Sequence, residues 1–297
     1  MQQQLKLDKH EEFIKMVLYK QQLPIKMESL KALFLYCCVT VLKLLKSEYD
    51  KQSIVDYLKA FEVQPNQYRA SKFDDSEPSI VNSYCAISVL KQISPNMEIN
   101  KEQALNFVRQ LIQEDGNIRS SKSSNDADLR MVFSALSYLD MLDIDTSEFQ
   151  QIVGQFILTC QNQDGAFGLQ PSQESHCGAT YCAVASLTIL KIDIPLKSSL
   201  IEWLVFRQCK MTGGIAGRVN KVPDSCYSFW NGWTLKLLGL DLLDKERLIE
   251  FLEHCQSNYG GFSKYPQNNP DPVHTLHSLL GILDNENYDY VHAIILN

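Results

Sequence analysis

The sequence has no run apolar enough to span a bilayer, no CxxC pair and no excess of positive charge. Its most apolar stretch, Ala32 to Leu45, falls short of the roughly 20 residues a membrane helix needs, and it carries Lys43. It reads as a buried helix. The opening MQQQLKLDKHEEF is polar and mixed in charge, so no signal peptide and no transmembrane segment are expected. A formal net charge of −7 argues against a nucleic-acid partner, while leaving room for a local basic pocket. The nine cysteines stand singly or as Cys37–Cys38. Without a secretory signal they point to a reduced, cytoplasmic setting, with most thiols acting as small core side chains. Alternating strand patterns are almost absent.

What is present is a repeat. RQLIQEDGNIR (109–119), TCQNQDGAFGL (159–169), RQCKMTGGIAGR (207–218) and HCQSNYGGFSK (254–264) each end a helix-like run in polar residues and glycine. Gly116, Gly165, Gly214 and Gly261 recur at intervals of 49, 49 and 47 residues. A period of this size marks a repeating supersecondary unit. Between the glycines lie two helical patterns, such as ATYCAVASLTILKI (179–192) and SSLIEWLVFRQ (198–208). Each unit therefore reads as a helical hairpin, with glycine supplying a positive φ at a helix end. About six hairpins fit the length, as a single domain over residues 1–297. An all-α barrel is favoured over an open solenoid. Non-repeated polar residues (His176, Arg218, Lys221, Asp224, Cys226 and Lys264) follow the glycines. In a closed barrel their loops would meet at one mouth.

PDSCYSFW (223–230) places a carboxylate and a thiol two residues apart, followed by three aromatics. Asp224, Cys226 and a later histidine would give zinc an O, S, N set with one position left open, the pattern of a catalytic site. His274 in NNPDPVHTLHSLLGI is the candidate, with His277 its rival one turn on. On spacing alone, a core cysteine and a helix-capping Asp explain the motif as well.

GGIAGRVNKVPDSCYSFW (213–230), ESHCG (174–178), NDADLR (125–130), GGFSKYPQNNPDPVH (260–274) and the opening KHEEFIKMVLYKQQLP (9–24) together resemble the β subunits of protein prenyltransferases. The resemblance implies an α–α barrel of six helix pairs around an apolar funnel. It implies transfer of an isoprenoid from its diphosphate to a cysteine near a protein's C-terminus. It assigns zinc to Asp224, Cys226 and His274, and diphosphate binding to His176, Arg218, Lys221 and Tyr227. Arg130 matches an arginine at the lipid and peptide mouth, and Trp230 a funnel-lining aromatic. It also implies an α subunit as heterodimeric partner.

Three relatives compete. Ten residues before the zinc histidine, the farnesyl and Rab enzymes carry Asp and the type I geranylgeranyl enzyme Lys; here the residue is Lys264. That implies geranylgeranyl diphosphate as donor, CaaX-terminated small GTPases as acceptors and no requirement for magnesium. The base of the funnel, where the farnesyl enzyme has Trp, matches a position near Leu33, with Phe34 and Tyr36 narrowing it. Val273 stands where the farnesyl enzyme has an aromatic, which suits an apolar last residue in the acceptor. GGIAGR and DPVHTLH lean toward the Rab enzyme, SFWNGWTLKLL (228–238) toward type I. A squalene-type cyclase would need an acidic protonating motif that is absent. A helical-repeat scaffold would bind neither zinc nor a lipid diphosphate.

Overall fold

The structure, a computed structural model, describes residues 5–19, 25–73, 75–283 and 285–296; the last part of the opening motif, 20–24, lies outside them. Twelve α-helices among the described residues fall into two sets. The inner set is α2 (Lys31–Leu44), α4 (Ile80–Ile93), α6 (Leu129–Met141), α8 (Cys177–Ile189), α10 (Tyr227–Leu237) and α12 (Pro272–Ile282). The outer set is α1 (Leu7–Leu18), α3 (Lys51–Lys59), α5 (Lys101–Arg109), α7 (Ile152–Thr159), α9 (Lys197–Val205) and α11 (Lys245–Cys255). Each inner helix packs on the next, and α12 returns to α2, which closes an α–α barrel. Each outer helix lies against the inner helix that follows it.

Composition explains the two layers. In α8, CGATYCAVASLTI, every residue except Gly178 and Thr188 is buried, as expected of a helix packed on all sides. In α5, KEQALNFVR, only Ala104, Phe107 and Val108 are buried, a single stripe at helical spacing. Burying each large aliphatic or aromatic side chain of the inner layer contributes about 1.5–3 kcal/mol.

One hydrogen bond recurs around the barrel. The backbone N–H groups of Ala32, Ile80, Leu129, Cys177 and Ser225 donate to the carbonyls of Ala70, Ser120, Leu169, Gly217 and Lys264 at 2.8–3.1 Å. The inner helices therefore start together, at one mouth. On the sixth side, His10 of α1 joins first repeat to last: its Nδ1 accepts the Gly261 N–H at 2.8 Å and its ring stacks on Phe262.

The repeat glycines Gly116, Gly165 and Gly261 supply the positive φ read from the sequence, but in a turn past the helix rather than at its last residue. Gly165 lies in a turn past α7, where its N–H donates to the Asn162 carbonyl at 2.9 Å. Its φ is 86°, and a Cβ there would stand 2.3 Å from the Leu200 nitrogen. Close approach to α9, as well as positive φ, requires glycine. In the third repeat the positive φ falls on Gly213, not Gly214. The preceding glutamine fastens the turn: Gln161 Nε2 donates to the carbonyls of Gly165 and Pro195. Gln208 does the same to Gly213 and Asp244. Each glutamine thereby ties its turn to the start of the next outer helix.

Three two-stranded antiparallel ladders join the helices: β1 (Glu62–Gln64) with β2 (Gln67–Tyr68), β3 (Phe262–Ser263) with β4 (Pro270–Asp271), and β5 (Tyr288–Asp289) with β6 (Ile294–Ile295). Among the described residues no helix is long and apolar enough to cross a membrane.

Candidate active site

The mouth is where the N-terminal ends of the inner helices meet, so their dipoles favour negative charge there. The helix caps are themselves site residues. Asp128 caps α6, His176 caps α8 and Asp271 caps α12.

Asp224, Cys226 and His274 converge: one ligand atom from each lies within 4.8 Å of the others. Asp224 and Cys226 enter from the turn before α10, His274 from the first turn of α12. Asp224 is buried, and its Oδ1 accepts the Cys226 N–H at 2.9 Å and faces His274 Nε2 at 3.5 Å. Nδ1 of His274 is held at 2.6 Å by Asp271, whose other oxygen accepts the N–H groups of Val273 and His274. Asp271 thus turns Nε2 toward the cluster, the usual role of a carboxylate behind a metal-binding imidazole. Sequence reading missed Asp271, although its signal, a carboxylate three residues before the histidine, was in DPVH.

The donor set fits a dication. Burial opposes charge on His274, but the bonds to Asp224 and Asp271 outweigh it and raise it to about 9. Burial and then the Asp224 charge push the Cys226 thiol well above its usual range. A bound cation would reverse both effects, because coordination takes neutral imidazole and thiolate. Carboxylate, thiol and imidazole at this spacing suit a tetrahedral metal. His277 does not compete. It stacks face to face on Phe229 at 4.7 Å, is held at about 3 chiefly by burial, and leaves its buried Nδ1 without a hydrogen-bond partner.

Lys264 Nζ stands 3.6 Å from Asp224 Oδ2, beside the triad. Across the mouth, His176 Nδ1 accepts the N–H groups of Gly178 and Ala179. Its proton therefore sits on Nε2, which donates to the Tyr227 hydroxyl at 3.1 Å. Burial, then the Arg218 charge, lowers the His176 pKa and keeps the ring neutral. The Tyr227 proton is left to point at a ligand. Gly217 makes room for this tyrosine, since a Cβ there would lie 1.9 Å from the ring.

Arg218 pairs with Glu174 at 3.2 Å and Arg130 with Asp128 at 2.7 Å. Arg218 follows Gly217, whose carbonyl accepts the first N–H of α8, and Arg130 stands in the first turn of α6, so both lie at the mouth. Lys221 is exposed in the loop between Arg218 and Asp224. Trp230 is half-buried, edge-on to Tyr181 at 5.3 Å and to His277 at 4.8 Å. Val273 is partly buried beside His274. Leu33 lies in the first turn of α2, at the mouth end, while Tyr36 and Cys37 further down are buried.

Comparison with known proteins agrees with this geometry. Residues 5–294 match the family described as prenyltransferase alpha-alpha toroid domain. The chain is 40% identical over 210 residues to the geranylgeranyl transferase type-1 subunit beta of Arabidopsis thaliana, covering 66% of this chain and 56% of that one. It is 36% identical over 213 residues to the type-2 subunit beta of Saccharomyces cerevisiae, covering 70% and 63%. It thus spans less than two thirds of either relative. The solved structure of Candida albicans protein geranylgeranyltransferase-I complexed with GGPP superposes with a TM-score of 0.81 at 25% identity, covering 99% of this chain and 96% of that one.

Proposed function

The chain belongs to the prenyltransferase alpha-alpha toroid family, and from that premise we propose that it is the β subunit of a zinc-dependent, type I protein geranylgeranyltransferase. It works in the cytoplasm as a heterodimer with an α subunit. It moves a geranylgeranyl group from geranylgeranyl diphosphate to the cysteine thiol of CaaX-terminated small GTPases. The observation that carries this reading is the sharing of one barrel mouth by a three-ligand metal set and a cluster of anion-binding side chains.

Asp224, Cys226 and His274 would hold the zinc. When bound, zinc supplies the Lewis acidity that favours the thiolate form of an incoming cysteine at neutral pH. In the reaction the allylic C1–O bond breaks and a C1–S bond forms. The thiol proton passes to solvent, and the diphosphate leaves with the electron pair of the broken bond. Negative charge grows on the leaving oxygens, and fixed donors there act mainly in the transition state. The Tyr227 hydroxyl, oriented by His176, offers one. Arg218 offers a planar fork and Lys221 a compact charge. Arg218 exchanges Glu174 for phosphate oxygens, and Arg130 stands at the same entrance. Lys264, next to the triad, supplies the positive charge that magnesium would otherwise bring. Trp230 and the rings below it form apolar wall for the isoprenoid.

The 36% identity to a type-2 subunit keeps the Rab-type reading as the second one. The test is an assay of the purified heterodimer with farnesyl or geranylgeranyl diphosphate and CaaX peptides ending in Leu, Met or Ser. Transfer of the C20 group to the Leu peptide is expected. Transfer only to an intact Rab-like acceptor, or only of the C15 group, replaces the type I assignment.

A further inference from the structure

Three cations at the mouth carry a carboxylate partner among the described residues. Arg130 pairs with Asp128, Lys264 with Asp224 and Arg218 with Glu174. Two of these carboxylates are fastened in place. Asp128 is buried, caps α6 by accepting the Arg130 N–H at 2.9 Å, and holds the Arg130 guanidinium by contacts at 2.7, 3.1 and 3.2 Å. Asp224 is buried and tied to the Cys226 N–H and to His274. Glu174 differs from both. It meets Arg218 through one contact, Oε2 to Nη1 at 3.2 Å, and the two side chains are 51% and 42% exposed.

The backbone on either side of this pair is fixed. The Gln173 carbonyl accepts an N–H of Asn162 at 2.9 Å, and Ser175 Oγ sits between Asn162 and Asp164 at 2.9 and 2.8 Å. The His176 N–H donates to the Phe167 carbonyl and the Cys177 N–H to the Gly217 carbonyl, each at 2.9 Å. Arg218 follows Gly217 directly, so the same join sets its position. What can move is the pair of side chains. A half-exposed pair with one contact is weak. A diphosphate offers the guanidinium fork two oxygens at once and displaces the carboxylate. The carboxylate then stays within reach, because its backbone does not move.

We propose that Glu174 is the exchangeable counter-ion of the mouth: it occupies Arg218 when no diphosphate is bound, yields the arginine to the donor, and reclaims it to expel the inorganic diphosphate left after transfer. This rests on the reading of the mouth as an isoprenoid diphosphate site. The reason lies in the charges. The leaving group is more negative than the donor it came from, because the broken C1–O bond leaves its electron pair on oxygen. A cation cluster that stabilises this growing charge would also retain the product. A carboxylate beside the cluster opposes the more negative species more strongly. Glu174 acts through Arg218 and is therefore a positioning residue.

The test measures inhibition of the purified heterodimer by inorganic diphosphate, competing with geranylgeranyl diphosphate, beside the single-turnover rate of preloaded donor. Glu174→Gln keeps the size of the side chain and removes its charge. It is expected to tighten inorganic diphosphate about two- to fivefold, the span of one exposed ion pair, and to tighten the donor less. The single-turnover rate should stay within about twofold of wild type. In an Arg218→Ala background the same substitution should change diphosphate binding far less, because the carboxylate has no arginine to reclaim. Equal tightening in both backgrounds would show that Glu174 only repels the anion, and overturns the exchange. Unchanged diphosphate binding in Glu174→Gln overturns it too. So does weaker binding, which would make the carboxylate a guide that aims the arginine. A single-turnover rate lower by about tenfold or more would place Glu174 in the chemical step and likewise contradict the exchange. A wild-type heterodimer that binds neither the donor nor inorganic diphosphate removes the reading of the mouth, and the exchange falls with it.

Discussion

Asp271 holds His274 by one oxygen and the start of α12 by the other: Oδ2 lies 2.6 Å from Nδ1, and Oδ1 accepts the Val273 and His274 N–H groups at 2.9 Å. Fold and metal site thus share one side chain. Asp271→Asn keeps a good N-cap but loses the charge behind the imidazole. Zinc affinity, read by chelator competition, is expected to fall about 10- to 100-fold with little change in melting temperature. A lower melting temperature with zinc affinity intact would mean that Asp271 is only a cap.

Gly217→Ala tests the seat of Tyr227. A Cβ at that position overlaps the ring, so the tyrosine must leave its bond to His176. Single-turnover rate is expected to drop by about 10²-fold or more, as when a preorganised donor is lost from a developing anion. Zinc content should stay at one per chain. Wild-type turnover in this variant removes Tyr227 from the diphosphate cluster.

Lys264→Asp tests the source of positive charge beside Asp224. The wild-type complex is expected to turn over with zinc present and magnesium chelated. The variant should be slow under those conditions and partly rescued by millimolar magnesium, because two carboxylates near the diphosphate recreate a cation site. A wild-type complex that stalls without magnesium moves the assignment away from type I.

His292 predicts a pH dependence of stability. Burial opposes its charge, but Asp140 and Asp289 outweigh it and raise it to about 9. An unfolded histidine titrates near 6.5. The folded state therefore holds the extra proton between about pH 6.5 and 9. Stabilisation is complete below 6.5 and is lost as pH rises through 9. The ceiling is about 3 kcal/mol from the linkage relation, and half-exposed Asp140 lowers it. Urea unfolding of the wild type and His292→Gln should converge as pH rises from 6.5 to 9.5. Parallel curves contradict the clasp.

The repeat and the mouth were legible because they are written in local signals. Glycine at a steady spacing marks the turns, and loop polar residues that never repeat mark the site. Asp224, Cys226 and a histidine could be picked out by ligand chemistry and the resemblance chose His274; the packing of His277 on Phe229 supplies the physical reason. Gly217 looked like any loop glycine until the Tyr227 ring filled the space over it. The axis-facing side of the inner helices was hidden for another reason. Helices that are apolar all round, such as α2 and α8, carry no phase that tells the axis side from the packed side. Leu33 and Tyr36 were therefore indistinguishable in depth. The hairpin of β5 and β6 was illegible because its two strands are two residues each. Its DYVH (289–292) does echo DPVH (271–274), and in both the Asp caps the turn and grips the histidine.

The central claim is that the metal set and the anion cluster at one mouth carry out prenyl transfer together. Single-turnover thioether formation tests it most directly, using preloaded geranylgeranyl diphosphate, a Leu-ending CaaX peptide and the purified heterodimer, with wild type beside Cys226→Ser. Rapid product in zinc-loaded wild type is expected. Zinc-stripped wild type and Cys226→Ser should form almost none, while both still bind the diphosphate. Full-rate product without zinc, or in Cys226→Ser at unchanged zinc content, would contradict the account.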